Sequence, residues 1–361
     1  MFKFKELKII HLEITNNCQA KCPMCSRNFH SGLQNPLLKL NGWTLSDFKK
    51  IMSVEVLNTI EFIYFCGNFG DPILNNDLIK MCEYVKSINP NLTISIHTNG
   101  GARKASWWKE LFHALPKNHN IHFAIDGLED THHLYRVGTT YNDVIENASS
   151  FINEGGIAEW TFLKFKHNEH QVEECRSIAK SLGFKKFALK NSSRFLGDPK
   201  FKVLDKNGNI THFIEPPSES PLSLITTDII NSYKELVQEA DIQCIVKEKK
   251  EIYIDAHKKL MPCCWVSSIP STYNEPTGVI PEFLDKEMKD QYANLIKDLK
   301  GEKFLDARLG IRKIIDTEEW QNVWKKYWNE EKMITCARIC GKFKEVTISQ
   351  PNDQFIETDF Y

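Results

Sequence analysis

What this sequence lacks narrows its class before any motif is read. No stretch approaches the roughly 18 consecutive apolar residues of a membrane span, so no membrane role is expected. Net charge is almost missing: 46 Lys and Arg against 47 Asp and Glu leave −1. The bulk attraction that draws basic proteins to nucleic acid or anionic lipid is therefore absent, and no nucleic-acid partner is expected. The opening MFKFKELKII has neither the apolar core nor the small-residue cleavage site of a secretory signal, and a cytoplasmic chain is the expectation. No internal repeat or low-complexity tract breaks the 361 residues, a length that suits one large domain or a barrel-sized domain with a smaller companion.

Cysteine, by contrast, is plentiful at 11. A reducing compartment disfavours disulfides, so the thiols need another explanation. Cys82 and Cys175 lie in helix-like apolar stretches and are expected in the core, and Cys66, at a strand end, is expected to pack. The others form two sets: Cys18, Cys22 and Cys25 near one end, and Cys244, Cys263, Cys264, Cys336 and Cys340 toward the other.

From residue 7 to about 190 strand-like and helix-like patterns alternate. Strands are expected at 7–14, 59–66, 92–97, 121–126, 158–165 and 185–190, each short, β-branched or aromatic, and bounded by turn residues. Helical periodicity fills the gaps, as in TLSDFKKIMSVEVL and in the run after Asn142 and Asp143 that stops at Gly155-Gly156. Six βα units predict a parallel sheet, either open and doubly wound or an incomplete barrel, with chemistry at the C-terminal strand ends. The three-cysteine loop follows the first strand. An irregular stretch from about 197 to 225 reads as a connector with a hairpin at KNGN, followed by a helix near 228–239. KEIYIDAHKKLMPCCW reads as a second hairpin, and Trp265, Trp320, Trp324 and Trp328 as core.

Three thiols spaced C-x3-C-x2-C are one short of a closed structural zinc site. They suit a 4Fe–4S cluster held through three irons, with the fourth iron left open; zinc completed by a distant residue is the alternative. Such a loop after strand 1 of a six-unit βα domain resembles the radical S-adenosylmethionine (SAM) superfamily over roughly residues 7–195. The resemblance implies a partial (β/α)6 TIM-like barrel in which SAM chelates the open iron and is reductively split to a 5′-deoxyadenosyl radical. It further implies SAM contacts at several positions. In CGNFGDP, Gly67 matches the first glycine of the family's motif for the SAM amine; Asn68 and Phe69 replace its other residues, and Gly70 and Asp71 continue it. Thr98, Asn99 and Asp126 match the ribose and adenine positions, and Arg136 the partner of the SAM carboxylate. Met24 stands where an aromatic residue usually covers the adenine.

The second set resembles the twitch domain, the shortened SPASM form, in which a Cys precedes a hairpin, another closes it, and a later close pair completes an auxiliary cluster. Cys244, Cys263, Cys336 and Cys340 would supply four ligands to a second 4Fe–4S cluster, with Cys264 the alternative to Cys263; zinc again competes. Lys258 replaces the hairpin's usual glycine. The expected division is a barrel at 1–196, a connector at 197–240, and a small α+β SPASM-like auxiliary domain with a C-terminal tail at 241–361.

An auxiliary cluster beside substrate favours net oxidation, so the resemblance implies dehydrogenation of a small polar molecule. Modification of a ribosomal peptide is the alternative, made less expected by a first cysteine at position 18, which leaves no room for the extra peptide-binding domain of many maturases. A zinc-stabilised binding protein is a remote third reading. The family implies a flavodoxin or ferredoxin as electron donor. Lys164, His167, Lys190 and Arg194, near the mouths of the last two strands, are open candidates for proton acceptor, and none is assigned.

Overall fold

The six segments of alternating hydrophobicity all form strands: β1 (Ile9–Leu12), β2 (Phe62–Phe65), β3 (Thr93–Thr98), β4 (His119–Ala124), β5 (Ala158–Lys164) and β6 (Lys186–Asn191). The structure, a computed structural model, describes residues 1–192, 194–195, 200–219, 233–271, 282–342 and 355–360. Every neighbouring pair from β1 to β6 is parallel, so the expected α/β partial barrel is present. KNGN turns a hairpin between β7 (Phe201–Leu204) and β8 (Ile210–Ile214), with Gly208 at φ +86°. Within the expected helix at 228–239, Tyr233–Glu239 is helical, and 228–232 lie outside the described residues. Parts of the connector and of the tail also lie outside them.

Alternation divides each strand between two environments. Ile10, Leu12, Ile63, Phe65, Ile94, Ile96, Ile121 and Phe123 are fully buried against the helices, each contributing about 1.5–3 kcal/mol. The opposite face carries His11, Tyr64, Ser95, His97, Asn120 and His122 into the barrel interior. The helices are α1 (Leu45–Ile51), α2 (Val54–Thr59), α3 (Leu78–Ile88), α4 (Ala105–Ala114), α5 (Tyr141–Asn153) and α6 (Val172–Ser181). The single periodic run TLSDFKKIMSVEVL is two helices, because Ser53 leaves helical geometry and caps α2 by accepting from Val56 N. Thr140, rather than Asn142 or Asp143, caps α5, accepting from Asp143 N.

The C-terminal region is built onto the same sheet. β9 (Glu251–Ile254) lies parallel to β1, pairing Ile9 with Glu251 and Leu12 with Ile254. β10 (Leu260–Met261) returns antiparallel to it, and β11 (Phe355–Asp359) lies antiparallel to β6. The strand order is β10-β9-β1-β2-β3-β4-β5-β6-β11. The expected second hairpin is thus continuous with the barrel. Beyond it lie α7 (Glu282–Asp298), α8 (Glu318–Lys325) and α9 (Ile334–Cys340). Trp320, Trp324 and Trp328 are buried as expected, whereas Trp265 is 37% exposed. Cys82 and Cys175 are fully buried in the core. No described helix is long and apolar enough to cross a membrane.

Lys258 sits in the β9–β10 turn at φ +70°, the left-handed region that explains why glycine is usual there. Its ammonium donates to Gly42 O at 3.1 Å and lies 3.4 Å from Asp47 Oδ2. Lys258→Gly and Lys258→Ala both lose those contacts, so their difference isolates the backbone. Urea unfolding is expected to find the Gly variant about 1 kcal/mol the more stable; equal stabilities would show that the turn carries no such cost.

Candidate functional site

The chain leaves β1 into a loop pinned on several sides. The Asn16 amide donates to Lys39 O at 2.7 Å and accepts from Asn41 N at 2.7 Å, while the Arg27 guanidinium donates to Asn16 O. Lys21 N donates to Val137 O at 2.7 Å. Cys18, Cys22 and Cys25 therefore ride on a braced segment at the C-terminal end of β1. A separate apolar cluster beneath it includes Met24, Tyr135, Phe165 and Phe201.

The turn after β2 presses directly against this loop. A Cβ on Gly70 would stand 2.0 Å from Thr15 O, and one on Gly67 2.3 Å from Gly70 O, so both positions require glycine. Glu13 fastens the turn: one carboxylate oxygen accepts from Phe69 N (2.7 Å) and Gly70 N (3.1 Å), the other from the Tyr253 hydroxyl on β9 at 2.6 Å. The Asn68 amide donates to Cys264 O at 2.9 Å, which ties this turn to the second cysteine set.

At the ends of β3 and β4 the polar candidates bond to one another. Asp71 accepts from Thr98 Oγ1 (3.0 Å), Asn99 N (2.7 Å), Asn99 Nδ2 (2.6 Å) and Ile73 N (3.2 Å). Burial pushes its carboxyl up to about 6 against these donors. Asp126, fully buried, accepts from Leu163 N at 2.7 Å and from Arg136 Nε at 2.6 Å. Two donors reach the thiols: Asn99 Nδ2 lies 3.5 Å from Cys18 Sγ and Arg136 Nη1 3.8 Å from Cys22 Sγ. Burial raises both thiols, Cys22 to about 11 with the Arg136 charge opposing. Cys18, Cys22, Asp71, Thr98, Asn99, Asp126 and Arg136 are thus one assembly. Met24 packs below it, its sulfur accepting from Ser192 Oγ at 3.9 Å.

The second set lines a cavity of about 390 Å³ shared with the barrel interior. Cys336 and Cys340 fall one turn apart on α9, Cys244 precedes the helix Ile245–Lys249, and Cys263 precedes the helix Cys264–Ser268. The Cys340 hydrogen bond and burial raise the Cys244 thiol, and burial raises that of Cys263, against the opposing backbone N–H groups of Lys247 and of Val266 and Trp265; Ile245 N–H faces Cys340. A thiol hydrogen bond from Cys244 holds Cys340 down to about 7. Thr335 Oγ1 on the wall is buried without a hydrogen-bond partner. Four thiols, aimed donors and an orphaned hydroxyl around one space fit a thiolate-held cluster. Cys263, in the field of Cys340 and of Cys336, fits the set better than Cys264, whose neighbours include Cys66. Among the described residues no three His, Cys, Asp or Glu side chains converge on a single ion.

The barrel wall of this cavity holds residues that motif reading passed over. His11, Tyr64, His97 and His122 form a ladder across four strands, with ring centroids 4.1, 5.1 and 4.0 Å apart. His122 Nδ1 lies 3.2 Å from Glu159 Oε2. Ser95 Oγ and Asn120 Oδ1 are buried without partners. The available signal was polar residues at alternate positions of otherwise apolar strands. Of the open base candidates, Arg194 donates to Met24 O, and His167 stacks on Phe165 at 5.4 Å, with burial lowering its imidazole to about 4.

Glu13 gives this region a pH signature. Burial raises its carboxyl from 4.5 to about 7. A carboxyl raised on folding contributes most below its unfolded value, and that contribution falls as pH rises through the folded value. Unfolding free energy is expected to drop between pH 5 and pH 8 by up to about 3 kcal/mol from this group, and Glu13→Gln to flatten the drop. A slope unchanged by the substitution would place the titration elsewhere.

Residues 12–175 match the Radical SAM superfamily, and no curated protein matches the chain. The fold is similar to that of anSMEcpe with bound AdoMet, at 14% identity and TM-score 0.53 over 96% of this chain and 90% of that one. It is likewise similar to anSMEcpe with bound AdoMet and Cp18Cys peptide, at 15% identity and TM-score 0.51 over 96% and 92%. Streptococcus suis SuiB aligns at 14% identity and TM-score 0.49 over 77% of this chain, which spans 65% of the SuiB chain. The three-cysteine loop and strands β2–β5 thus lie within the segment that matches the Radical SAM superfamily, and the fold around them is α/β.

Proposed function

We propose that this protein is a radical SAM oxidoreductase acting on a small polar molecule. Cys18, Cys22 and Cys25 would hold a 4Fe–4S cluster, and Cys244, Cys263, Cys336 and Cys340 a second one. When bound, the first cluster and SAM supply a 5′-deoxyadenosyl radical that takes hydrogen from substrate, and the second supplies an acceptor for the electron left behind. The main chain around Gly67 and the ends of β3 and β4 would hold SAM. The side chains of Asp71, Thr98 and Asp126 brace that rim through the bonds given above. The division at 196 and 240 is functional in this reading, since β9 continues the barrel sheet.

One observation carries the proposal: three thiols on a braced loop at the C-terminal strand ends, two of them facing N–H donors, with four more around a cavity that opens from the same interior. That geometry favours oxidation over a metal-stabilised binding role, because a cavity joining the barrel interior to the second cysteine set is where a substrate that has lost hydrogen would pass on an electron. The oxidation also releases a proton, and His122 on the cavity wall, its Nδ1 3.2 Å from Glu159 Oε2, would be the imidazole that takes it up. A second reading, peptide modification, is favoured by the Cp18Cys peptide bound to anSMEcpe, which has a similar fold. The electron donor would be a flavodoxin or ferredoxin.

Iron and acid-labile sulfide in anaerobically reconstituted protein test the reading. About eight irons are expected, falling to about four in the Cys18→Ala, Cys22→Ala, Cys25→Ala variant, with reductive SAM cleavage confined to wild type. Four irons in wild type and none in the variant would remove the auxiliary cluster and the argument for oxidation. Zinc without iron would sink the enzyme reading.

A further inference from the structure

We infer that Asn99 and Arg136 act on the cysteine-held cluster itself, as N–H donors to the sulfurs of Cys18 and Cys22 that set its reduction potential. The inference deepens the proposed function and rests on its N-terminal cluster. Resemblance assigned both residues to SAM; the geometry points to the thiolates.

The orientation of Asn99 is fixed by its neighbours. Its Oδ1 accepts from Gln19 Nε2 at 2.7 Å and from Gly101 N at 2.9 Å. Both are donors, so that end must be the carbonyl, and the amide nitrogen is left facing Asp71 and Cys18 Sγ. Arg136 is held as firmly. Its Nε is taken by Asp126, whose side chain is fully buried and whose other oxygen is occupied by Leu163 N. Its guanidinium lies over the Tyr135 ring, 5.4 Å from the centroid. Nη1 then points at Cys22 Sγ. Neither group is free to swing: Asn99 is 5% exposed and the Arg136 side chain 18%.

The physical consequence follows from charge. One-electron reduction adds negative charge to a cluster and its thiolates. A donor or cation beside the sulfur stabilises the reduced form more than the oxidised form, and burial preserves that difference from solvent screening. Both residues should therefore raise the potential, making the cluster easier to reduce by a low-potential donor. They are positioning and tuning residues, and neither touches the reacting atoms in this assignment.

The test is an EPR-monitored redox titration of reconstituted full-length protein without SAM, following the signal that Cys18→Ala, Cys22→Ala, Cys25→Ala abolishes. Asn99→Ser and Arg136→Gln are each expected to shift the midpoint downward at unchanged iron content. Arg136→Lys keeps the charge but loses the directed N–H, so its shift should be smaller. Asp126→Asn/Arg136→Gln removes the buried pair together and leaves no stranded carboxylate; it should still fall below wild type, and it decides the matter if Arg136→Gln does not load. Midpoints equal to or above wild type would overturn the inference. Such midpoints together with weakened binding of radiolabelled SAM would return both residues to SAM. Failure of wild type to assemble any cluster would overturn the underlying reading instead, a result separable by its iron content.

Discussion

The arrangement hangs on one buried carboxyl. Glu13 leaves β1 and takes hydrogen bonds from two backbone amides of the turn after β2 and from the hydroxyl of Tyr253 on β9. Glu13 and these partners join three segments distant in sequence: the start of the cysteine loop, the glycine turn folded onto it, and the hairpin that leads to Cys263. A buried acid with three donors defines an angle and a distance for each of them. Apolar packing alone would hold the same segments together but would leave their mutual register looser. The close approach of Gly70 to Thr15 O depends on this register, and so does the reach of Asn68 to Cys264 O.

The barrel interior beside the second cysteine set departs from the usual filling of a barrel, in which branched apolar side chains occupy the middle. Here His11, Tyr64, His97 and His122 stack along the wall, and Ser95 and Asn120 keep unpaired polar atoms there. Unpaired buried polar atoms cost stability, and proteins retain that cost at functional sites more often than elsewhere. The parallel pairing of β9 with β1 brings Cys263 against this wall. One continuous sheet therefore carries the first cysteine set at its C-terminal strand ends and brings Cys263 to the cavity on its inner face, where α9 adds Cys336 and Cys340.

Much of this was legible in the sequence because it rests on local rules. Short β-branched and aromatic runs bounded by turn residues located all six strands, and Gly155, at φ +103°, ended a helix where predicted. Cysteine spacing singled out Cys18, Cys22 and Cys25 before any fold was known. What escaped was non-local. Nothing in KEIYIDAHKKL says that its first strand adds to β1, some 240 residues earlier in the chain, because pairing partners are chosen by tertiary packing. The partners of Asp71 and Asp126 escaped for the same reason: each residue type was right for a polar site, but a lone sequence cannot say whether a carboxylate meets a ligand or a neighbouring side chain. Lys258 is the reverse case: the sequence puts a lysine where glycine is usual, and the structure keeps a left-handed turn there without the glycine.

Burial of the thiols has a last consequence for how such a protein is assembled. Desolvation pushes Cys22 to about 11 and Cys263 to about 12, so in the bare chain these groups hold their protons at neutral pH. A cluster needs thiolates, and its assembly must expel those protons against the same desolvation. The cation charge of the irons supplies most of that work. Under the proposed function the rest would fall to donors already in place: Asn99 and Arg136 at one set, and the backbone amides of Lys247, Ile245, Trp265 and Val266 at the other. The burial that disfavours the empty thiolates would then become the shield that keeps a loaded cluster away from water.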